Sequence, residues 1–400
     1  MAGANEREAQ HGSGLTTKPS ENGGTNRHCC SWEGGFASTA GTANVTLHPV
    51  TSSNLASKVS QDYPGIADRI APFMRSSAPR GGSSYPGAPA TSSRDSGAGA
   101  TVSRPAAAIA LSYMMVTLPL ALRVLSVGAP SDVHASRSRA FLMVGAHVLA
   151  IALLALAAWR THVRHAETSG TQALTNAFAD WLPLIIVSFL YAELPWLMTA
   201  YRGGQAVVYH DAWVQAAEWK IFRTQPSHTL AGALPFSWLS EGVHLGYVSY
   251  YGIIYGPPLV LYLRRHREAF AMSAGALMLA FTSCFLVFAF FPVEGPRYAW
   301  APPPGIPEGV VRRATLWVLR EGSSRGAAFP SSHAAVSVAQ TVSLWLAGER
   351  RIAIVVGTFT VLLVVGAVYG GFHYAVDMAV GVVVGIACGV TGVVLGRRAQ

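Results

Sequence analysis

The sequence predicts an all-α polytopic membrane protein: a bundle of about eight transmembrane helices built on a six-helix core, behind a disordered N-terminal tail. Three observations carry this. Hydrophobic residues make up 51% of the 400 and charged residues only 12%, about half the roughly 25% typical of globular domains. Mean hydropathy is +0.33. Apolar runs near the roughly 20 residues that cross a bilayer recur from residue 105 onward. A soluble fold of this length needs more charge to cover its surface.

Residues 1–104 are rich in Ser, Gly, Ala, Thr and Pro and show no lasting apolar periodicity. Stretches such as Gly81-Gly82-Ser83-Ser84 and Thr91-Ser92-Ser93-Arg94 bury too little surface to offset ordering entropy. This segment reads as a disordered low-complexity tail. No apolar core follows the start, so it does not read as a signal peptide.

Eight apolar stretches follow, at about 106–127, 141–159, 181–200, 242–263, 270–292, 332–347, 352–371 and 375–396. Runs this long cross lipid as helices, because a helix satisfies its own backbone polar groups. The first two fall in a leading pair, 105–174, and the rest in a membrane domain, 175–400. The first run carries Pro119 and Arg123, and the sixth is short. Pro257-Pro258 marks a kink in the fourth. Gly381, Gly385 and Gly389 recur at four-residue steps in the last, giving one helix face smooth enough for close packing.

The net charge of +9 does not form a patch: 1–104 contributes +2 and 105–400 contributes +7, mostly as Arg pairs flanking apolar runs. That distribution excludes a nucleic-acid binder and encodes membrane topology. Arg160, Arg164, Arg264, Arg265, Arg267, Arg350, Arg351, Arg397 and Arg398 fall in short segments on one side. The positive-inside rule makes that side cytoplasmic, with both termini. The long connections 201–241 and 293–331 lie outside. In the first, Trp213, Trp219 and Phe222 alternate with Asp211, Glu218, Lys220 and Arg223. A helix in the headgroup layer has this pattern, and so does a solvated loop folded over the bundle.

Of the four cysteines, Cys29 and Cys30 are adjacent in the tail, while Cys284 and Cys388 read as small buried hydrophobes. No zinc spacing occurs, and neither a metal nor a cofactor is expected.

Three clusters carry chemistry: Phe291 to Tyr298, with Gly295-Pro296-Arg297; Phe329-Pro330-Ser331-Ser332-His333; and His373-Tyr374-Ala375-Val376-Asp377. Eight spans bring all three to the outer face. His373 and Asp377, one turn apart, suit an imidazole oriented by a carboxylate. Pro330-Ser331-Ser332 reads as a helix start whose free N–H groups favour a phosphate, with His333 beside it to donate a proton. Arg297 supplies a planar fork for phosphate oxygens. Together they read as a two-histidine phosphoryl-transfer site.

On these residues the sequence resembles the membrane-bound type 2 phosphatidic acid phosphatase superfamily, over about 175–396. Within it, Asp211–Arg265, with Glu218, Phe222, Pro226 and Tyr247 to Tyr251, resembles the branch that includes inositol phosphorylceramide synthases. Pro330-Ser331-Ser332-His333 matches the family's Pro-Ser-x-His element, and His373 to Asp377 its His-x-x-x-Asp element. The resemblance implies that His373 attacks phosphorus to form a phosphohistidine, Asp377 orients it and His333 protonates the leaving oxygen. Arg297, with the backbone around Ser331 and Ser332, would hold the phosphate. The family's Ser-Arg before the nucleophile is Gly366-Ala367 here, and Pro precedes Arg297 rather than following it. Arg325 can replace one missing cation.

The expected activity is therefore metal-independent phosphoryl transfer from a membrane lipid, to water or to a small alcohol such as inositol. A polyprenyl-diphosphate phosphatase uses the same site. A lipid transporter explains the spans but not the histidines. Glu193, inside the third span, is a further functional candidate, or a carboxylate bonded near the headgroups.

Overall fold

The computed structural model describes residues 104–128, 137–163, 170–301 and 308–398. The expected tail lies outside these residues, apart from Arg104. The described residues form fourteen helices and no strand.

The leading pair is α1 (Arg104–Val127) and α2 (Arg137–Val163). Next come α3 (Gly170–Ala192) and α4 (Leu194–Tyr201), parted at Glu193 ahead of Pro195. Three short helices follow, α5 (Asp211–Phe222), α6 (Pro226–Ala233) and α7 (Ser237–Val248), and then α8 (Tyr250–Leu263) and α9 (Arg267–Phe290). A single turn, α10 (Pro296–Ala299), and α11 (Val310–Gly322) precede α12 (Ser332–Leu346), α13 (Arg350–Tyr369) and α14 (Ala375–Arg398).

Among the described residues six helices are long and apolar enough to cross a membrane: Arg104–Val127, Arg137–Arg160, Ala173–Ala192, Arg267–Phe290, Arg350–Tyr369 and Ala375–Arg398. The other two expected spans differ. The fourth is interrupted at Ser249, whose hydroxyl donates back to the Gly246 carbonyl at 2.6 Å, a bond that bends helices. Pro257 and Pro258 lie inside a continuous α8. The sixth, α12, is as short as its apolar run implies, 15 residues. Both still pack inside the bundle, α12 against α9, α13 and α14.

Helix α9 is the central post. Nearly every residue from Ala269 to Ala289 is buried, which explains its apolar character on all sides. The glycine stripe of α14 does what its spacing predicts. A Cβ at Gly381 would meet the Ser331 carbonyl at 2.6 Å, one at Gly385 the Ala335 carbonyl at 2.6 Å, and one at Gly389 Val342 Cβ at 2.7 Å. Helix α14 thus lies almost backbone to backbone on α12, which fixes the height of His373 relative to His333.

Glu193 is fully buried and bonded to His147 Nδ1 at 2.8 Å, while His147 Nε2–H donates to the Met114 carbonyl at 3.0 Å. This polar clasp ties α1 and α2 to the α3–α4 junction. Its partner, His147, sits 46 residues away in another span.

The close packing of α14 on α12 generates a stability prediction. Gly385→Leu forces the helices apart and costs about 1–3 kcal/mol, the usual range for overpacking. The thermal midpoint in detergent falls, whereas Ile386→Leu, on the exposed side, leaves it unchanged.

Candidate active site

The site forms where the N-termini of α12 and α14 meet. Ser331 caps α12: its Oγ accepts the Ala334 N–H at 3.3 Å, and its own N–H donates to the Asp377 carbonyl at 3.0 Å. Ser332 and His333 then occupy the first turn, where backbone N–H groups have no intrahelical partner. His373 precedes α14, and its backbone N–H bonds the Ala367 carbonyl at 3.1 Å.

The two histidines meet directly. His373 Nε2 lies 3.3 Å from His333 Nδ1. His373 Nδ1 lies 3.1 Å from the Ala328 carbonyl. A carbonyl only accepts, so Nδ1 carries the proton and Nε2 keeps its lone pair. Beyond His333, its Nε2 contacts the Tyr247 hydroxyl at 3.1 Å. Asp377 Oδ2 stands 3.5 Å from His373 Nδ1 and accepts the Tyr374 N–H at 2.9 Å. The nearer orienting partner of His373 is therefore the Ala328 carbonyl, with the carboxylate behind it.

Helix α5, expected in the headgroup layer, turns one face into this site. Asp211 Oδ2 accepts the Glu294 N–H at 2.9 Å, and Oδ1 accepts the Gly295 N–H at 2.9 Å and the Tyr374 hydroxyl at 3.0 Å. Gln215 donates to the Tyr374 hydroxyl at 2.8 Å. Glu218, fully buried, accepts the Ala375 N–H at 2.6 Å. One amphipathic face thus grips both the Gly295-Pro296-Arg297 loop and the loop that carries His373. Burial pushes the Glu218 carboxyl up to about 7; the Ala375 N–H opposes that, and the Asp377 charge adds to it. The Tyr374 hydroxyl is likewise held well above its usual range by burial. Trp300 packs edge-on over Tyr374 at 5.8 Å.

Gly295, at φ +97°, makes the turn ahead of Arg297; a Cβ there would come within 3.2 Å of Ala328 Cβ. Half-buried, Arg297 donates to Ser323 Oγ at 3.1 Å and to the Leu319 carbonyl at 3.4 Å, both on or next to the C-terminal end of α11. Arg325 is exposed at the rim, paired with Glu294 and lying over the Tyr298 ring at 5.0 Å. The structure therefore brings His373, His333, Asp377, Ser331 and Ser332 together at the α12 and α14 N-termini. It sets Arg297 against α11, and its charge reaches Tyr247.

The two residues that depart from the family pattern have a packing reason. A Cβ on Gly366 would run into the Val243 carbonyl of α7, and Ala367 is fully buried. Helix α7 fills the room that longer side chains would need.

A cavity of about 270 Å³ opens beside His333. Its walls include Tyr191, Tyr247, Tyr250, Tyr251 and Tyr255, with Leu319 and Ser323 from the α11 end. The two Arg297 acceptors therefore also belong to the cavity wall. Helix α11 is anchored at its other end by Glu241, which accepts the Val311 and Arg312 N–H groups at 2.9 and 3.1 Å. Those bonds hold its carboxyl below the usual range. Among the described residues no three His, Cys, Asp or Glu side chains converge as a metal site.

Residues 236–390 match the family model described as the PAP2 superfamily. The match supports that superfamily for this segment and points to a phosphatase-type lipid phosphoesterase. It spans Arg297, His333, His373 and Asp377 but not α5. No curated protein and no solved structure matches the chain.

The α5 contacts generate a pH prediction. Folding raises the Glu218 pKa from 4.5 to about 7, so the native state holds the proton more tightly than the unfolded chain. Stability is then highest at acid pH and falls as pH rises between those values. Glu218→Gln still accepts the Ala375 N–H but has no charge to bury. Thermal midpoints at pH 5 and pH 8 differ less in that variant than in the wild type.

Proposed function

We propose that this protein is a metal-independent, integral-membrane phosphoryl-transfer enzyme acting on a lipid phosphate ester through a phosphohistidine at His373. The observation that carries the reading is the His373–His333 contact at 3.3 Å, with the Nδ1 proton of His373 committed to the Ala328 carbonyl. That commitment leaves Nε2 as a nucleophile aimed at the second imidazole.

In the first step Nε2 of His373 forms a bond to phosphorus and the bond to the leaving oxygen breaks. His333 gives its Nδ1 proton to that oxygen, releasing the lipid alcohol. In the second step an acceptor hydroxyl attacks the phosphohistidine, its proton passes to His333 and His373 Nε2 departs. With water as acceptor the enzyme is a phosphatase. With a small alcohol such as inositol it is a transferase of the branch that Asp211–Arg265 resembles.

The tyrosine-walled cavity supports a lipid substrate, since its lining is mainly apolar and its polar end is His333 and Ser332. Arg297 is the cation nearest in role to a phosphate clamp: its donors are held by weak neutral acceptors that a phosphate oxygen outcompetes. Arg325, already neutralised by Glu294, contributes at the rim. The helix start at Ser331-Ser332 supplies further N–H donors. The arginine distribution supports an extracytoplasmic site. No part of this reading calls for nucleic acid.

Two measurements test it. His373→Ala lowers turnover of lipid phosphate below about a thousandth of wild type, because such residues act as a unit worth many powers of ten. Retained turnover sinks the nucleophile assignment. EDTA leaves activity unchanged; loss on chelation, with restoration by Mg²⁺, contradicts a site whose charge is balanced by Arg297 and helix N–H groups.

A further inference from the structure

Tyr247 is the least expected member of the site. It stands at the C-terminal end of α7, is buried, and stacks on the His333 ring with centroids 4.8 Å apart and planes 23° from parallel. Its hydroxyl meets His333 Nε2 at 3.1 Å. The opposite nitrogen of the same ring, Nδ1, faces His373. Helix α7 is itself immobilised. A Cβ on Gly246, the preceding residue, would run into Leu362 of α13, and Phe372 packs on the Tyr247 ring at 4.8 Å. The hydroxyl is therefore delivered to one nitrogen of His333 by backbone-to-backbone packing of α7 on α13.

We infer that Tyr247 is a positioning residue for the proton donor: it occupies Nε2 of His333 so that every proton exchange takes place at Nδ1, on the side of His373. This rests on the phosphoryl-transfer reading above. A hydroxyl both donates and accepts. When His333 is neutral with its proton on Nε2, that N–H donates to the tyrosine oxygen. When His333 is the imidazolium, Nε2–H donates to the tyrosine oxygen. One contact thus serves both protonation states without moving the ring.

The proton accounting closes. The imidazolium gives its Nδ1 proton to the leaving oxygen as the bond to phosphorus breaks, becoming the neutral ring with Nε2–H bonded to Tyr247. The acceptor hydroxyl then returns a proton to Nδ1 as it attacks the phosphohistidine. Tyr247 neither gains nor loses a net proton over the cycle. Its task is to keep Nε2 occupied and to hold the ring plane, the orienting part a buried carboxylate commonly plays for a catalytic imidazole. The hydroxyl is suited to this place because a carboxylate would add a buried charge beside the phosphate.

The test is Tyr247→Phe, which keeps the stacking ring and removes only the hydroxyl. Two substrates of equal chain length are compared, an alkyl lipid phosphate and an aryl phosphate, across pH. The alkyl substrate should lose about 10- to 100-fold in kcat, less than the 10²–10⁴ commonly ascribed to a general acid itself. The aryl substrate, whose leaving oxygen needs little protonation, should lose less than about threefold. KM for both should be unchanged, and the acid–base limb assigned to His333 should shift for the alkyl substrate. Equal losses on both substrates would make the hydroxyl a binding or structural group and overturn the inference. Wild-type behaviour on the alkyl substrate at all pH values would overturn it too. Fold is checked by the thermal midpoint, and Tyr247→His, which restores a polar atom on a ring, should recover part of the alkyl rate. Activity surviving in His373→Ala would instead remove the underlying reading, so the two failures are separable.

Discussion

The hydrogen bond between His373 Nδ1 and the Ala328 carbonyl sets the direction of every polar contact around it. Because the carbonyl can only accept, the lone pair of His373 must lie on Nε2, and the second histidine must face it. The position of that carbonyl is itself imposed. Ala328 N–H bonds the Val293 carbonyl at 2.9 Å, and Val293 N–H bonds the Gly326 carbonyl at 3.2 Å. Asp211 then holds the next two N–H groups along the chain. A loop near a membrane has little water to satisfy its backbone, so irregular chain persists only where protein groups take every donor. Here the same bonds that satisfy the loop also aim His373 Nε2 at His333.

Helix packing supplies the second constraint. The α12 and α14 N-termini can share a site only because the glycine stripe of α14 lets the two axes approach, and the Ser331 N–H then reaches the Asp377 carbonyl. On the other flank α7 packs equally closely on α13 through Gly246 and Gly366. That contact brings Tyr247 to His333 and displaces any long side chain from Gly366 and Ala367. A feature that reads in the sequence as the loss of a cation is, in three dimensions, the space a neighbouring helix occupies.

These particulars explain what was legible in the sequence. Apolar runs give the helices, including the short sixth one at α12, but not that Ser249 divides one span. The two histidine motifs are local, so their partners within one turn could be read. The Ala328 carbonyl could not, because a backbone acceptor leaves no residue signature. Asp211 and Glu218 stand out as the polar side of an amphipathic pattern and within the stretch that carries the branch resemblance, but the N–H groups they bond lie 84 and 157 residues further on. Helix α11 does carry a signal: Val311, Thr315, Val318, Leu319 and Gly322 recur at helical spacing within the long connection 293–331. Glu193 stood out as an intramembrane carboxylate, but its bond to His147 depends on how two spans pack.

The geometry also divides the work around His373 between two oxygens. Ala328 is closer, at 3.1 Å against 3.5 Å for Asp377 Oδ2, so the neutral carbonyl selects the tautomer. The carboxylate acts at slightly longer range through its field, and its other oxygen, Oδ1, has no hydrogen-bond partner. Full neutralisation of Asp377 by hydrogen bonds would weaken that field; leaving one oxygen unpaired keeps it available to an imidazole that becomes positive. In the phosphohistidine reading proposed above, the phosphorylated ring carries such a charge, whereas the resting ring does not. A carboxylate placed this way therefore favours the later state over the earlier one, which is the condition for a group to speed a reaction rather than merely bind its reactant.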